Sequence, residues 1–183
     1  MPNWVEGSLK LRGKYDDIMR FFEDGINVYQ HKWDFEKNES IESILDKSVW
    51  LQMDESVISG RQHPSFPDGL RECEIYLSSD EPYVYVERTN RAFLDGDQYI
   101  YVSERKGSDT VAPMRIRQAW DFRDENWVEI AKKYNCDVRL WGSECGMCFE
   151  RIVDISRDGT INMSVTNKYS DWEWEAVFPW MGG

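Results

Sequence analysis

From Trp4 to Arg12 the chain alternates without a break: Val5, Gly7, Leu9 and Leu11 fall on one side, and Trp4, Glu6, Ser8, Lys10 and Arg12 on the other. A period of two belongs to a β-strand with one buried face, so this segment is committed to a sheet that has something packed against it. The period then changes. Ile18, Phe21 and Phe22 stand at helical spacing between Asp16, an N-cap candidate, and Gly25, a stop, which predicts a short helix over about 16–24. The clearest helix lies further on, over 124–134, where Trp127, Ile130, Ala131 and Tyr134 form one apolar stripe. Acids in its first turn and Lys132 and Lys133 in its last suit the helix dipole.

Between these helices the pattern is mostly extended. Ile41, Ile44, Leu45 and Val49 carry helical spacing, which predicts a further short helix over about 38–48. Residues 61–69, with Pro64, Pro67 and Gly69, read as a loop. Three alternating runs follow at 72–77, 83–88 and 98–103, separated by turn residues, and they predict an antiparallel meander. Lys106 to Asp109 is the one later stretch of linker-like composition and is read as a joint inside the domain. After the second helix, 136–141, 147–155 and 160–166 read as consecutive strands, with a further strand over 172–178. The order predicts an α+β fold in one domain, 1–183, with helices on one face of an antiparallel sheet. Its core falls at about 1–29 and 112–183, and 30–111 is a largely β insertion.

Charge narrows the function. With 34 acidic and 22 basic residues the net charge is −12, which argues against unaided phosphate binding and in favour of a partner with a basic surface. Residues 1–7 do not resemble a signal peptide, and no apolar run approaches membrane-spanning length, so a cytoplasmic place in a host cell is expected. In that compartment Cys73, Cys136, Cys145 and Cys148 are expected as reduced thiols.

Two blocks carry a family resemblance. One is Met1-Pro2-Asn3-Trp4 with the strand behind it; the other runs from Ala119-Trp120-Asp121-Phe122 through Trp127-Val128-Glu129-Ile130-Ala131-Lys132-Lys133-Tyr134 to Val138. Together they resemble the phage and plasmid proteins described as Api92-like, over about 1–25 and 112–166. The resemblance implies a ferredoxin-like βαββαβ core of mobile-element origin and supplies no catalytic residues. Small acidic proteins of mobile elements are often anti-defence factors, and this length and charge are similar to those of type II-A anti-CRISPR proteins. That similarity implies a non-enzymatic phage protein that inhibits a host nucleic-acid-handling protein, above all an RNA-guided nuclease or its guide RNA complex.

Residue by residue, each candidate has a bland reading beside the sharp one. Cys145-Gly146-Met147-Cys148 could join Cys136 and Cys73 as four zinc thiolates, but a second Cys-x-x-Cys is missing, and unligated thiols with no metal and no cofactor are expected. His31 and His63 lack a nucleophile at any recognisable spacing, and His63 reads as a loop residue. Acids such as Asp54 and Glu55 could serve a metal-dependent nuclease, the alternative reading, although no spacing constrains them. A structural or regulatory phage protein is the third class.

Aromatics are the strongest anomaly. The chain holds nine Trp, nine Tyr and eight Phe, and Tyr83, Tyr85, Tyr99 and Tyr101 fall on the non-core side of their strands. A second layer would cover them; exposed, they would be contact residues. Arg88 and Arg91 lie between the tyrosine runs and could touch phosphates or sit in a solvated turn. In the tail, Asp171, Glu173 and Glu175 alternate with Trp172 and Trp174. On a strand this makes a carboxylate row at about 7 Å spacing, near that of backbone phosphates, beside a tryptophan anchor, although a charge-protected edge strand would read the same way. Asp121, Asp124 and Glu125 make a second acidic patch. These residues form the expected partner surface.

Overall fold

The computed structural model describes residues 3–34, 39–58, 69–78 and 83–182, with backbone alone for 31–34 and 39–42. The elements in order are β1 (Trp4–Gly13), α1 (Tyr15–Asp24), β2 (Ile26–Asp34), β3 (Glu39–Ile44), a 3-10 turn (Lys47–Val49), β4 (Leu51–Val57), β5 (Arg71–Leu77) and β6 (Tyr83–Val86). There follow β7 (Ala92–Leu94), β8 (Gln98–Ser103), β9 (Thr110–Ala119), α2 (Asp124–Tyr134), β10 (Asp137–Glu144), β11 (Phe149–Ile155), β12 (Ile161–Lys168) and a one-turn helix, α3 (Trp172–Glu175).

Nine strands form one sheet in the order β12-β11-β10-β1-β9-β7-β6-β2-β3, and β4-β5-β8 form a second. Every pairing is antiparallel. This overturns the expected ferredoxin-like core: the chain is mostly β, built on a nine-stranded antiparallel sheet with a three-stranded sheet, and among the described residues only two helices exceed one turn. The cause lies in the middle of the chain, where β2, β3, β6 and β7 extend the main sheet.

Several other expectations are corrected there. The helix expected over 38–48 is β3 followed by the 3-10 turn; Ile44, counted in its apolar stripe, is 67 % exposed, and ladder pairing to β2 takes the backbone instead. The meander is split, because β5 pairs with β4 and β8, whereas β6 pairs with β2 and β7. The strand expected over 172–178 begins with α3. Most of the 61–69 loop, residues 61–68, lies outside the described residues.

One hydrophobic cluster runs through the inner face of the large sheet, α1, α2 and the inner face of the small sheet. Val5, Leu9 and Leu11 of β1 are fully buried in it, as are Phe21 and Phe22 of α1, Trp127 of α2 and Ile75 and Leu77 of β5. Gly7 and Gly142 sit directly opposite each other on β1 and β10. A Cβ at Gly142 would meet the Phe122 ring at 2.8 Å, so this glycine leaves room for the ring. Phe122 has no exposed surface.

Where α2 meets β11 and β12, the near-buried Arg151 binds Asp121 at 3.1 Å and Asp124 at 2.6 Å. It also donates to the Val165 carbonyl at 3.2 Å and to Ser164 Oγ at 2.9 Å. Removing the guanidinium would leave Asp124 and the half-exposed Asp121 without their cation, so Arg151→Leu is expected to lower unfolding free energy by about 1–3 kcal/mol. Urea denaturation followed by tryptophan fluorescence checks this.

At the far end of β10, Asp137 accepts from Arg157 at 3.0 Å and Arg12 at 2.8 Å, and Arg157 reaches Asp109 at 2.6 Å. The Arg157 hydrogen bonds hold the Asp137 carboxyl well below the ordinary carboxylate range. A depressed folded value means stability that is present above the unfolded value of about 4 and lost as pH falls through the folded one. Asp137→Asn is therefore expected to cost about 1–3 kcal/mol at pH 7. In acid titrations of stability the gap between variant and parent should close steadily below about pH 4.

Candidate partner-binding surface

The segment after β12 turns back onto the outer face of the large sheet and is tied down along its length. Tyr169 N–H donates to the Cys148 carbonyl at 2.9 Å, and its hydroxyl donates to the buried Glu150 at 2.6 Å. Because that proton is held by a carboxylate, the Tyr169 phenol is pushed up to about 12. Asp171 caps α3 by accepting from Trp174 N–H at 3.3 Å, and Glu175 reaches back to the N–H groups of Ser170 and Asp171 at 2.8 and 3.1 Å. This reciprocal arrangement is a capping box in all but spacing.

Beyond α3, Trp172 Nε1 donates to the Pro179 carbonyl at 2.8 Å. Phe178 stacks edge-on against Trp141 of β10 at 5.3 Å and against Trp180 at 5.7 Å. Cys145 Sγ donates to the Gly182 carbonyl at 2.7 Å, and Gly182 N–H donates to Glu6 at 3.3 Å. Held at both ends, the segment leaves Trp174 86 %, Trp180 76 % and Val177 66 % exposed. Indole rings in water on an anchored loop are candidate contact residues with little ordering entropy left to lose.

The tail residues singled out in the sequence are thus together, but not as expected. Trp172 is half-buried and structural, and Trp174 is the exposed anchor candidate. The carboxylate row does not exist, since Asp171 and Glu175 are consumed in capping and only Glu173 has no partner among the described residues. Asp121 and Asp124 are engaged by Arg151, so of the second acidic patch Glu125 alone is a freely solvated side chain. Arg88 and Arg91, both at positive φ in the β6–β7 turn, face structure as well: Arg88 lies 3.5 Å from Glu129 and Arg91 over the Trp4 ring. Trp180 and Phe178 went unnoticed in the sequence, although the Trp-rich composition of 172–180 was their signal.

The aromatic anomaly divides in two. Tyr83 and Tyr85 are half-buried in a ring layer with Phe93, and Tyr29 and Trp4 extend it on the outer face. Tyr99 and Tyr101 of the small sheet remain 64 % and 59 % exposed, with Tyr99 stacked on Tyr76 at 4.5 Å. On the outer face a shallow cleft of about 110 Å³ is lined by Lys10, Arg12, Asp137, Arg139 and Asp154. Its arginines are paired with its aspartates.

Among the described residues no three His, Cys, Asp or Glu side chains converge on a metal position. His63 and the His31 side chain lie outside the described residues. Of the proposed acids, Glu55 accepts from Tyr15 Oη at 2.9 Å. No helix among the described residues is long and apolar enough to cross a membrane. No family model, curated protein or solved structure matches the chain.

All four thiols are free. Cys136 and Cys73 are buried, and burial pushes them up to about 12 and about 11. Cys145 and Cys148 are half-buried in the β10–β11 turn, which Glu144 builds by accepting from the N–H groups of Gly146 and Met147. An aromatic disulfide reagent at pH 8 is expected to titrate Cys145 and Cys148 in the native protein and the other two thiols only after denaturation.

Proposed function

We propose that this protein is a non-enzymatic binding protein that inhibits a basic, nucleic-acid-handling protein of its host, with the RNA-guided nuclease of a type II CRISPR system as the foremost target. The reading rests on the exposure of Trp174 and Trp180 on a segment anchored at both ends. Two indoles and Val177 supply the apolar centre of an interface, and Glu173 its nearby charge. The net charge of −12 speeds encounter with a positively charged channel and disfavours free nucleic acid as the ligand. Mimicry of a phosphate row plays no part in this mechanism, because α3 disperses the tail carboxylates. Affinity comes from the aromatic anchors and on-rate from the overall field.

The test is capture of purified type II nuclease, with and without guide RNA, followed by a cleavage assay over a salt series. Rising salt is expected to slow association. The Trp174→Ala/Trp180→Ala variant should lose at least about 30-fold in affinity at unchanged melting temperature, because both rings are solvent-exposed. Equal affinity of variant and parent would remove the tail from the interface. Cleavage of RNA or DNA by the isolated protein with Mg²⁺ or Mn²⁺ would replace this reading with that of a metal-dependent nuclease.

A further inference from the structure

The two edges of the large sheet differ in a way that the tail surface does not explain. At one edge lies β3, whose sequence Glu39-Ser40-Ile41-Glu42-Ser43-Ile44 contains two acids. At the other edge β12 reads Ile161-Asn162-Met163-Ser164-Val165-Thr166-Asn167-Lys168, and between Asp158 and Asp171 the chain holds no acid at all. In a protein with 34 acids this is a bare edge. Every residue of β12 is exposed, with Ile161 at 45 %, Met163 at 47 % and Val165 at 39 %. Among the described residues no strand pairs with its outer side.

We propose that β12 pairs with β12 of a second copy of this chain, antiparallel, about a two-fold axis at Ser164. Backbone direction supports this register. Tyr169 N–H donates inward to β11, so by alternation the N–H and C=O groups of Ser164, Thr166 and Lys168 point outward. An axis at Ser164 sets Ser164 against its own copy as a hydrogen-bonded pair, and Met163 against Val165 on each side of the axis. Met163 and Val165 stand on the outer face opposite Asp154 and Ile152, so four apolar side chains meet in one patch across the axis. Residues 162–166 carry no charge, so no like charges oppose around the axis. Beneath the strand, Ser164 Oγ donates to Asp124 at 2.6 Å and accepts from Arg151 at 2.9 Å, which holds the edge straight against α2. The ladder irregularity at Asp154–Ile155 lies before Met163, clear of the central pairs. Lys168 is the one charge on this strand, so a foreign strand would find little here to select its register, whereas a second copy brings matching residues by symmetry.

Sedimentation at up to about 100 µM, where a micromolar Kd populates the dimer, is expected to show twice the 21.7 kDa chain mass. Met163→Lys/Val165→Lys sets ammonium groups against each other twice across the axis and should give a monomer with an unchanged melting temperature. Met163→Glu/Val165→Lys sets carboxylate against ammonium twice and should restore the dimer. A monomeric parent overturns the proposal, as does a dimer indifferent to the double lysine variant. Failure of the Glu/Lys pair to restore association overturns the Ser164 axis. Capture of nuclease by a monomeric variant would leave the tail reading standing, so the two can fail separately.

Discussion

Everything in this molecule is hung on β1, which is hydrogen-bonded along its length to β9 on one side and to β10 on the other. A strand paired on both sides has its backbone groups satisfied and can bury one whole face without leaving orphan donors. Its inner residues meet α1 and α2, which in turn meet each other through the edge-on Phe21–Tyr134 contact at 5.4 Å. Gly142 of β10 removes a side chain where Phe122 approaches the sheet, and Phe122 lies just before α2. The central sheet therefore sets the position of α2. Through Arg151 it also fixes β11 and β12 relative to that helix.

Some polar groups near the core are satisfied in the same way, although the buried Tyr134 hydroxyl has no partner among the described residues. Trp127 Nε1 donates to the fully buried Gln118 at 3.0 Å, so the largest apolar side chain of α2 is also oriented by the sheet. Arg157, Asp137 and Asp109 close the opposite end of β10. Arg151 and Arg157 are paired with specific acids, and two further carboxylates, Glu144 and Glu150, are buried. The buried Arg151 is structural, since it ties Asp121 and Asp124 to β12.

The outer face is where packing stops being uniform. Over β6, β7 and the start of β1 it is covered by the protein's own rings; over β10 it is covered by the returning tail. At β12 nothing among the described residues covers it. The exposed indoles and the bare edge are separate surfaces with different chemistry, one a pair of rings on an anchored loop and the other a row of backbone groups flanked by two apolar side chains.

Where a local pattern carried its own burial, it was legible in the sequence: the alternation at 4–12, the stripe Trp127–Ile130–Ala131–Tyr134 and the strands β10 and β11 each announce their buried face, whereas β12 has none. β9 did not announce itself, because Pro113 argues against a central strand; β7 pairs with β9 only over 116–118, which leaves Pro113 where no strand needs its missing N–H. Residues 38–48 misled in the other direction, since isoleucines three apart suit a helix and only the neighbouring β2 makes them a strand. The tail shows the limit most sharply. Its alternation of Asp, Trp and Glu is a strand pattern by period, yet Asp171 and Glu175 lie at the spacing that caps a helical turn, and Trp172 finds the Pro179 carbonyl. By itself the sequence determined the central strand, the two helices and the charge. Which acids are free, which rings are exposed and which edge is bare was decided by the tertiary structure, because each depends on partners far away in the chain.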